Sequence, residues 1–180
     1  MTTGTRTKSL AEILVPEFDQ EVALTRKAIE RAPEDKLQWK PHPRSNDLEW
    51  LIGFLSFLPS WAVSTFEQDS LDLMPGGKPP EGMPPWPKTV KEALAFLDAN
   101  AAKGRATLAQ ASDEAMGEPW RLLMNGKEVL KATRYEVMRS SVINHLVHHR
   151  AQLGVYLRLL DVPVPATYGP SADDNPWRPA

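Results

Sequence analysis

The stretch Thr133–Leu160, TRYEVMRSSVINHLVHHRAQLGVYLRLL, decides how this chain is read. It opens on Thr133 with Glu136 three residues later, the pattern in which an N-cap hydroxyl and an N3 carboxylate satisfy orphan backbone N–H groups at a helix start. From there Tyr135, Met138, Val142, Leu146, Leu153, Tyr156 and Leu160 recur at helical spacing, which predicts one long amphipathic helix. The stretch also holds three of the four histidines, His145, His148 and His149. On a helix advancing about 100° per residue, His145 and His149 stack one turn apart and fall within roughly 60° of the centre of the apolar stripe. They are expected to face the interior. His148 lies off the stripe, and Arg150 is expected to face elsewhere.

Three more helix starts carry similar capping chemistry: Ser9 with Glu12, Asn46 with Glu49, and Thr89 with Glu92. Each precedes an apolar stripe. The first runs Leu14, Phe18, Val22, Thr25 and Ile29, and the second Leu48, Leu51, Leu55, Leu58, Ala62 and Phe66. The third is Val90, Ala93, Leu94, Leu97, Ala101 and Leu108. Pro33 and Pro41-His42-Pro43 separate the first two helices. Residues 74–88 carry six prolines and three glycines, so they form an extended crossover. Before the last helix, Trp120–Met124 and Lys127–Leu130 flank Asn125-Gly126, a pair suited to a type I′ turn and hence to a small β-hairpin. The tail, residues 162–180, is again Pro-rich, and its apolar residues are expected to pack it along the helices. The reading is an all-α protein, a single domain over residues 1–180, built as a four-helix bundle with one long crossover.

Composition narrows the function. A net charge of −2 with interspersed signs gives no footprint for a nucleic-acid backbone. There are no cysteines, which removes disulfides, thiolate metal sites and thiol nucleophiles, and fits a reducing cytoplasm. Met1 to Lys8 is polar, unlike a signal peptide, and the longest apolar run, Leu48 to Leu58, is broken by Glu49 and Ser56. A soluble, cytoplasmic protein with no membrane partner is expected.

The chemistry turns on the histidines. Two imidazoles at this spacing can each offer a neutral ring nitrogen to one transition-metal ion, while the bland alternative is a pair of partly buried rings satisfied by hydrogen bonds. A third ligand has to come from elsewhere. His42 sits between two prolines and is expected to shape its loop. Glu21, at the edge of the first stripe, offers a carboxylate, although a solvated or surface-paired glutamate is the plainer reading; Asp19 points further away. Ser140-Ser141 lack the glycine-flanked elbow of a serine nucleophile, and Gly76-Gly77 lack the preceding strand of a phosphate loop. Trp50, Trp61, Trp86 and Trp120 read as packing residues. Pro59 is expected to kink the second helix and open a cleft beside it.

Four segments together resemble the DinB-like family: Trp39-Lys40-Pro41-His42-Pro43-Arg44-Ser45, Leu58-Pro59-Ser60-Trp61, the His145 to Gln152 run, and Tyr168-Gly169-Pro170-Ser171-Ala172-Asp173. They span nearly the whole chain in order. The resemblance implies a four-helix bundle, a homodimer and, in many members, a divalent metal (zinc or nickel) held by three histidines. It does not imply DNA binding. Relatives include thiol-dependent transferases and isomerases. The family's last-helix pair maps onto His145 and His149. Its third histidine, on the second helix five residues before the Leu-Pro-x-Trp proline, is Phe54 here, and a phenyl ring cannot coordinate a metal.

Two functions fit these residues. One is a ligand-binding or non-catalytic bundle with an incomplete metal site, whose small-molecule ligand the sequence does not specify. The alternative is a divalent-metal-dependent transferase or hydrolase acting on a small molecule, its metal weakly held by His145 and His149 with His148 or Glu21 assisting.

Overall fold

The computed structural model describes residues 7–82, 84–175 and 177. The chain is mostly helical, with a small three-stranded sheet at one end. Helix α1 (Leu10–Ile29) starts with Ser9 and Glu12 closing a full capping box. The next helical run is α2 (Leu48–Phe57), a 3₁₀ turn over Leu58–Ser60, and α3 (Trp61–Glu67). Its cap is Asp47, whose side chain accepts from Trp50 N (2.8 Å), not the expected Asn46. The carboxylate one residue on reaches the same orphan donors.

Pro59 produces the 3₁₀ turn because it lacks the N–H an α-helix would use there. The expected cleft does not open at that point. Helix α4 (Val90–Gln110), capped by Thr89, closes on it, and a Cβ on Gly104 would lie 2.4 Å from the Pro59 carbonyl oxygen. Glycine lets the two backbones meet. Helix α4 packs on α1, α2 and α3.

A short strand, β1 (Ser70–Asp72), lies between α3 and the crossover; at three residues it is too short to show alternation in the sequence. After the short α5 (Asp113–Gly117), strands β2 (Pro119–Met124) and β3 (Lys127–Thr133) form the expected hairpin, and β1 pairs parallel with β2. Asn125 (φ 51°) and Gly126 (φ 76°) both take the positive φ that a type I′ turn requires. The Asp72 carboxylate accepts from Met74 N (3.0 Å), Asn125 N (2.9 Å) and Gly126 N (2.7 Å), so the crossover start and the hairpin tip share one anchor. Those backbone donors, Met74 first, hold its carboxyl below the usual range. The rest of the crossover is non-helical apart from a 3₁₀ turn at Pro75–Gly77, and Trp86 lays its ring against Gly53 of α2.

The final helical run is not one uniform helix. It comprises α6 (Arg134–Val137), a π-helical segment over Met138–Ile143, and α7 (Asn144–Leu159). The wider turn rotates α7 relative to α6, so the buried line passes through Ile143, Leu146, His149, Arg150, Leu153 and Leu157, while Tyr156 and Leu160 are only partly buried. Helix α7 packs on α1 and α2. Buried residues form two apolar clusters, and Val22 packs against both. Among the described residues, no helix is long and apolar enough to cross a membrane.

Candidate functional site

The π-helical segment ends where the histidines begin. Ser140 Oγ bonds the Glu136 carbonyl (2.7 Å) within it, and such widened turns often sit beside functional residues because they re-aim the side chains of the next turn. His149 is buried and His145 half-buried, as expected from the stripe. Their Nε2 atoms lie 3.0 Å apart. His149 Nδ1 is 2.7 Å from Gln152 Oε1, and Gln152 Nε2 is 3.1 Å from the exposed His148. Gln152 donates to His148 and accepts from His149 Nδ1–H, while the two Nε2 atoms face each other with their donor and acceptor roles set by the tautomer of His145. Burial pushes both interior imidazoles below their ordinary pKa. For His149 the Gln152 bond opposes that shift, and for His145 the Ser141 carbonyl does. Both rings are therefore neutral at neutral pH.

Three aromatic rings from the second helical run enclose the pair. Phe54 stands edge to face against both, with ring centroids 5.3 Å from His145 and 4.9 Å from His149. Trp50 stacks on Phe54 at 4.8 Å and meets His149 edge-on at 5.9 Å, while Trp61 lies 6.3 Å from His145. Packing is all that the sequence positions of Trp50 and Trp61 suggest. In the fold they also wall the site.

The donor set does not fit a three-ligand metal centre. It offers two imidazole nitrogens 3.0 Å apart, with a phenyl ring alongside both. Among the described residues, no three His, Asp or Glu side chains are placed to share an ion. His42 stays exposed in its loop, where its Nδ1 accepts from Arg44 N (3.2 Å), and Asp19 pairs with Arg105 at 2.9 Å. Glu21 is not a surface glutamate. It is 3% exposed and its Oε2 meets Arg150 Nη1 at 2.7 Å.

Arg150 does not face elsewhere, as its place beside the stripe suggests. It points inward, with its Nη1 also donating to the Glu21 carbonyl (3.1 Å) and its Nη2 to the Tyr168 hydroxyl (2.7 Å). That hydroxyl in turn donates to Glu21 Oε2 (2.7 Å). Burial and Glu21 push the Tyr168 phenol up, which keeps its proton on oxygen. The signal was present: a carboxylate on the edge of one stripe and a guanidinium beside an inward histidine can enter a core together, where neither enters alone.

A cavity of about 380 Å³ reaches His149 from the surface, lined by Trp50, Gln152, Tyr156, Asn46 and Arg44 among others. Its lining includes a cation and no carboxylate. Tyr156 turns its hydroxyl to the Asn46 carbonyl (3.0 Å) and fixes the rim.

The family model of the DinB superfamily matches residues 17–153. The chain belongs to the DinB superfamily. Among solved structures it is similar to a DinB-like protein from Bacillus subtilis (19% identity, 83% of this chain and 92% of that one covered, TM-score 0.62). A DinB-like protein from Bacillus cereus is similar at 17% identity over 91% of this chain and 100% of that one, with a TM-score of 0.60. A conserved protein from Enterococcus faecalis gives 17%, 86%, 98% and 0.53 in the same terms. No curated protein sequence matches.

Proposed function

We propose that this protein is a small-molecule-binding DinB superfamily member, a four-helix bundle and homodimer of the cytoplasm, in which Phe54 has closed the metal position. The observation that carries the reading is the Phe54 ring, seated against both imidazoles at 4.9 and 5.3 Å. A third ligand would have to occupy that side, and two neutral nitrogens alone give up both a bond and the preorganisation that holds zinc or nickel. His145 and His149 then act as a neutral polar wall behind the cavity that reaches His149. The test is metal content by elemental analysis after incubation with excess zinc or nickel and desalting, for the wild type, His149→Ala and Phe54→His. The expected result is no retained metal in the first two and near-stoichiometric metal in Phe54→His.

A second reading, a divalent-metal-dependent transferase or hydrolase, is favoured by one observation. Gln152 on His149 Nδ1 and the Ser141 carbonyl beside His145 resemble the outer supports that metal-binding histidines use. Stoichiometric metal in the wild type, lost in His149→Ala, would make that reading lead and end the first.

A further inference from the structure

Helix α7 has another side, facing the C-terminal tail. Between it and residues 164–171 lies a hollow of about 550 Å³, walled by Val147, Ala151, Gly154, Val155, Leu159 and Tyr168 among others. That volume suits a drug-sized molecule. Polar ties hold the tail wall in place: Asp173 accepts from Val164 N (2.9 Å) and pairs with Arg158, Ser171 Oγ donates to the Val164 carbonyl (2.6 Å), and Tyr168 bonds Glu21 (2.7 Å). The hollow is preformed rather than a gap left by a loose segment.

Two features say what it would hold. First, its cations have partners: Arg150 is neutralised by Glu21 and Arg158 by Asp173. The remaining surface is mainly apolar, and Val155, Leu159 and Tyr168 leave 58%, 56% and 59% of their area open. Secondly, Gly154 sits inside α7, where glycine weakens a helix, without the close packing that Gly53 and Gly104 have. A Cβ on Gly53 would meet Trp86 Nε1 at 2.3 Å and one on Gly104 would meet Pro59 O at 2.4 Å, but one on Gly154 would meet only Val164 Cγ1 at 3.7 Å. Only the Val164 side chain, at ordinary van der Waals distance, borders the space that Gly154 keeps open.

We propose that this hollow binds an uncharged, largely apolar small molecule, with Gly154 as its floor and the tail as its outer wall. The hollow shares the Val155 wall with the histidine cavity but does not include His149, and the proposal does not rest on the reading of Phe54. A second copy of the chain would have to seat a protruding group of its own in the hollow, and light scattering separates that occupant from a small molecule.

The experiment titrates N-phenyl-1-naphthylamine, a neutral fluorophore, and its anionic relative 8-anilinonaphthalene-1-sulfonate into the full chain. The neutral probe is expected to saturate at one per chain and to bind more tightly than the sulfonate. Gly154→Leu, which fills the floor, should weaken it by roughly tenfold or more, equivalent to about 1.4 kcal/mol. Gly154→Ala should bind nearly as the wild type does. Should Gly154→Leu lose its helical circular dichroism, Thr167→Trp on the tail wall makes the same test by blocking the hollow. His149→Ala should leave probe binding unchanged. Absence of saturable binding would overturn the proposal, as would binding that ignores the blocking variant or disappears in His149→Ala. A dimer by light scattering that excludes the probe would assign the face to a second copy and overturn it too.

Discussion

Phe54 changes the physics of the two imidazoles as well as their coordination. A histidine there would add a third nitrogen; the phenyl ring removes water from around His145 and His149 and offers no hydrogen bond in exchange. The cost falls on their charged forms, which is why burial leads the downward shift of both. The consequence for stability has a definite sign. In the unfolded chain each imidazole takes up a proton near its reference value of 6.5, whereas the folded protein resists until a lower pH. Stability contributed by the neutral pair is therefore complete above that reference value and is lost as pH falls through the folded values. Thermal melts between about pH 7.5 and pH 5 should show the wild-type midpoint dropping more steeply than that of a His145→Gln/His149→Gln double variant. Parallel profiles would mean that the rings are not held neutral by their surroundings. Metal recruitment by Phe54→His belongs to the same scale and does not depend on this result.

At the scale of elements, what the sequence made legible was local chemistry. The Ser9 and Thr133 capping boxes, the Asn125-Gly126 turn and the Pro59 break each act within four residues, so their spacing alone reveals them. Three features escaped, two because they depend on distant partners and one because it leaves no local mark. β1 exists only beside β2, the widened turn over Met138–Ile143 leaves no periodic mark that apolar residues could show, and the space beside Pro59 is closed by a helix more than thirty residues away. Gly104 and Gly154 turn that distinction into a prediction of opposite signs. Both are helix-interior glycines, and propensity alone favours alanine by about 0.5–1 kcal/mol at either position. Gly154→Ala should gain close to that amount, because its Cβ meets nothing nearer than 3.7 Å. Gly104→Ala should instead lose about 1–3 kcal/mol, since its Cβ would press on the Pro59 carbonyl and force α4 away from the kink. Urea melts of the two variants measure both. A stabilised Gly104→Ala would show that α4 can back off freely, and the close contact would then contribute little to holding the kinked run.

For the whole molecule, the group that matters most is the one the periodicity concealed. Glu21 from α1 and Arg150 from α7 meet below the surface, the exposed Tyr168 of the tail sets its hydroxyl on both, and the three join parts of the chain that are far apart in sequence. Hydropathy patterning marks charged residues as outward, so a pattern-based reading sends Arg150 to solvent and leaves Glu21 as a spare ligand. Pairing is what reverses that, and pairing is a property of the fold rather than of either segment. A buried pair of this kind is a weak source of net stability but a strong constraint on arrangement, because each charge is tolerable only beside the other. Removing one partner should therefore cost far more than removing both. Glu21→Leu or Arg150→Met alone is expected to lose about 3–5 kcal/mol, whereas the double variant should recover most of it by replacing ions with apolar volume. Tyr168→Phe keeps the pair and deletes one bridging hydroxyl, so its loss should be nearer about 1 kcal/mol. Denaturant melts of the four variants test the order. Single losses that simply add in the double variant would mean that the two charges are stabilised independently, and that the tail is held by Asp173 and Arg158 rather than by this junction.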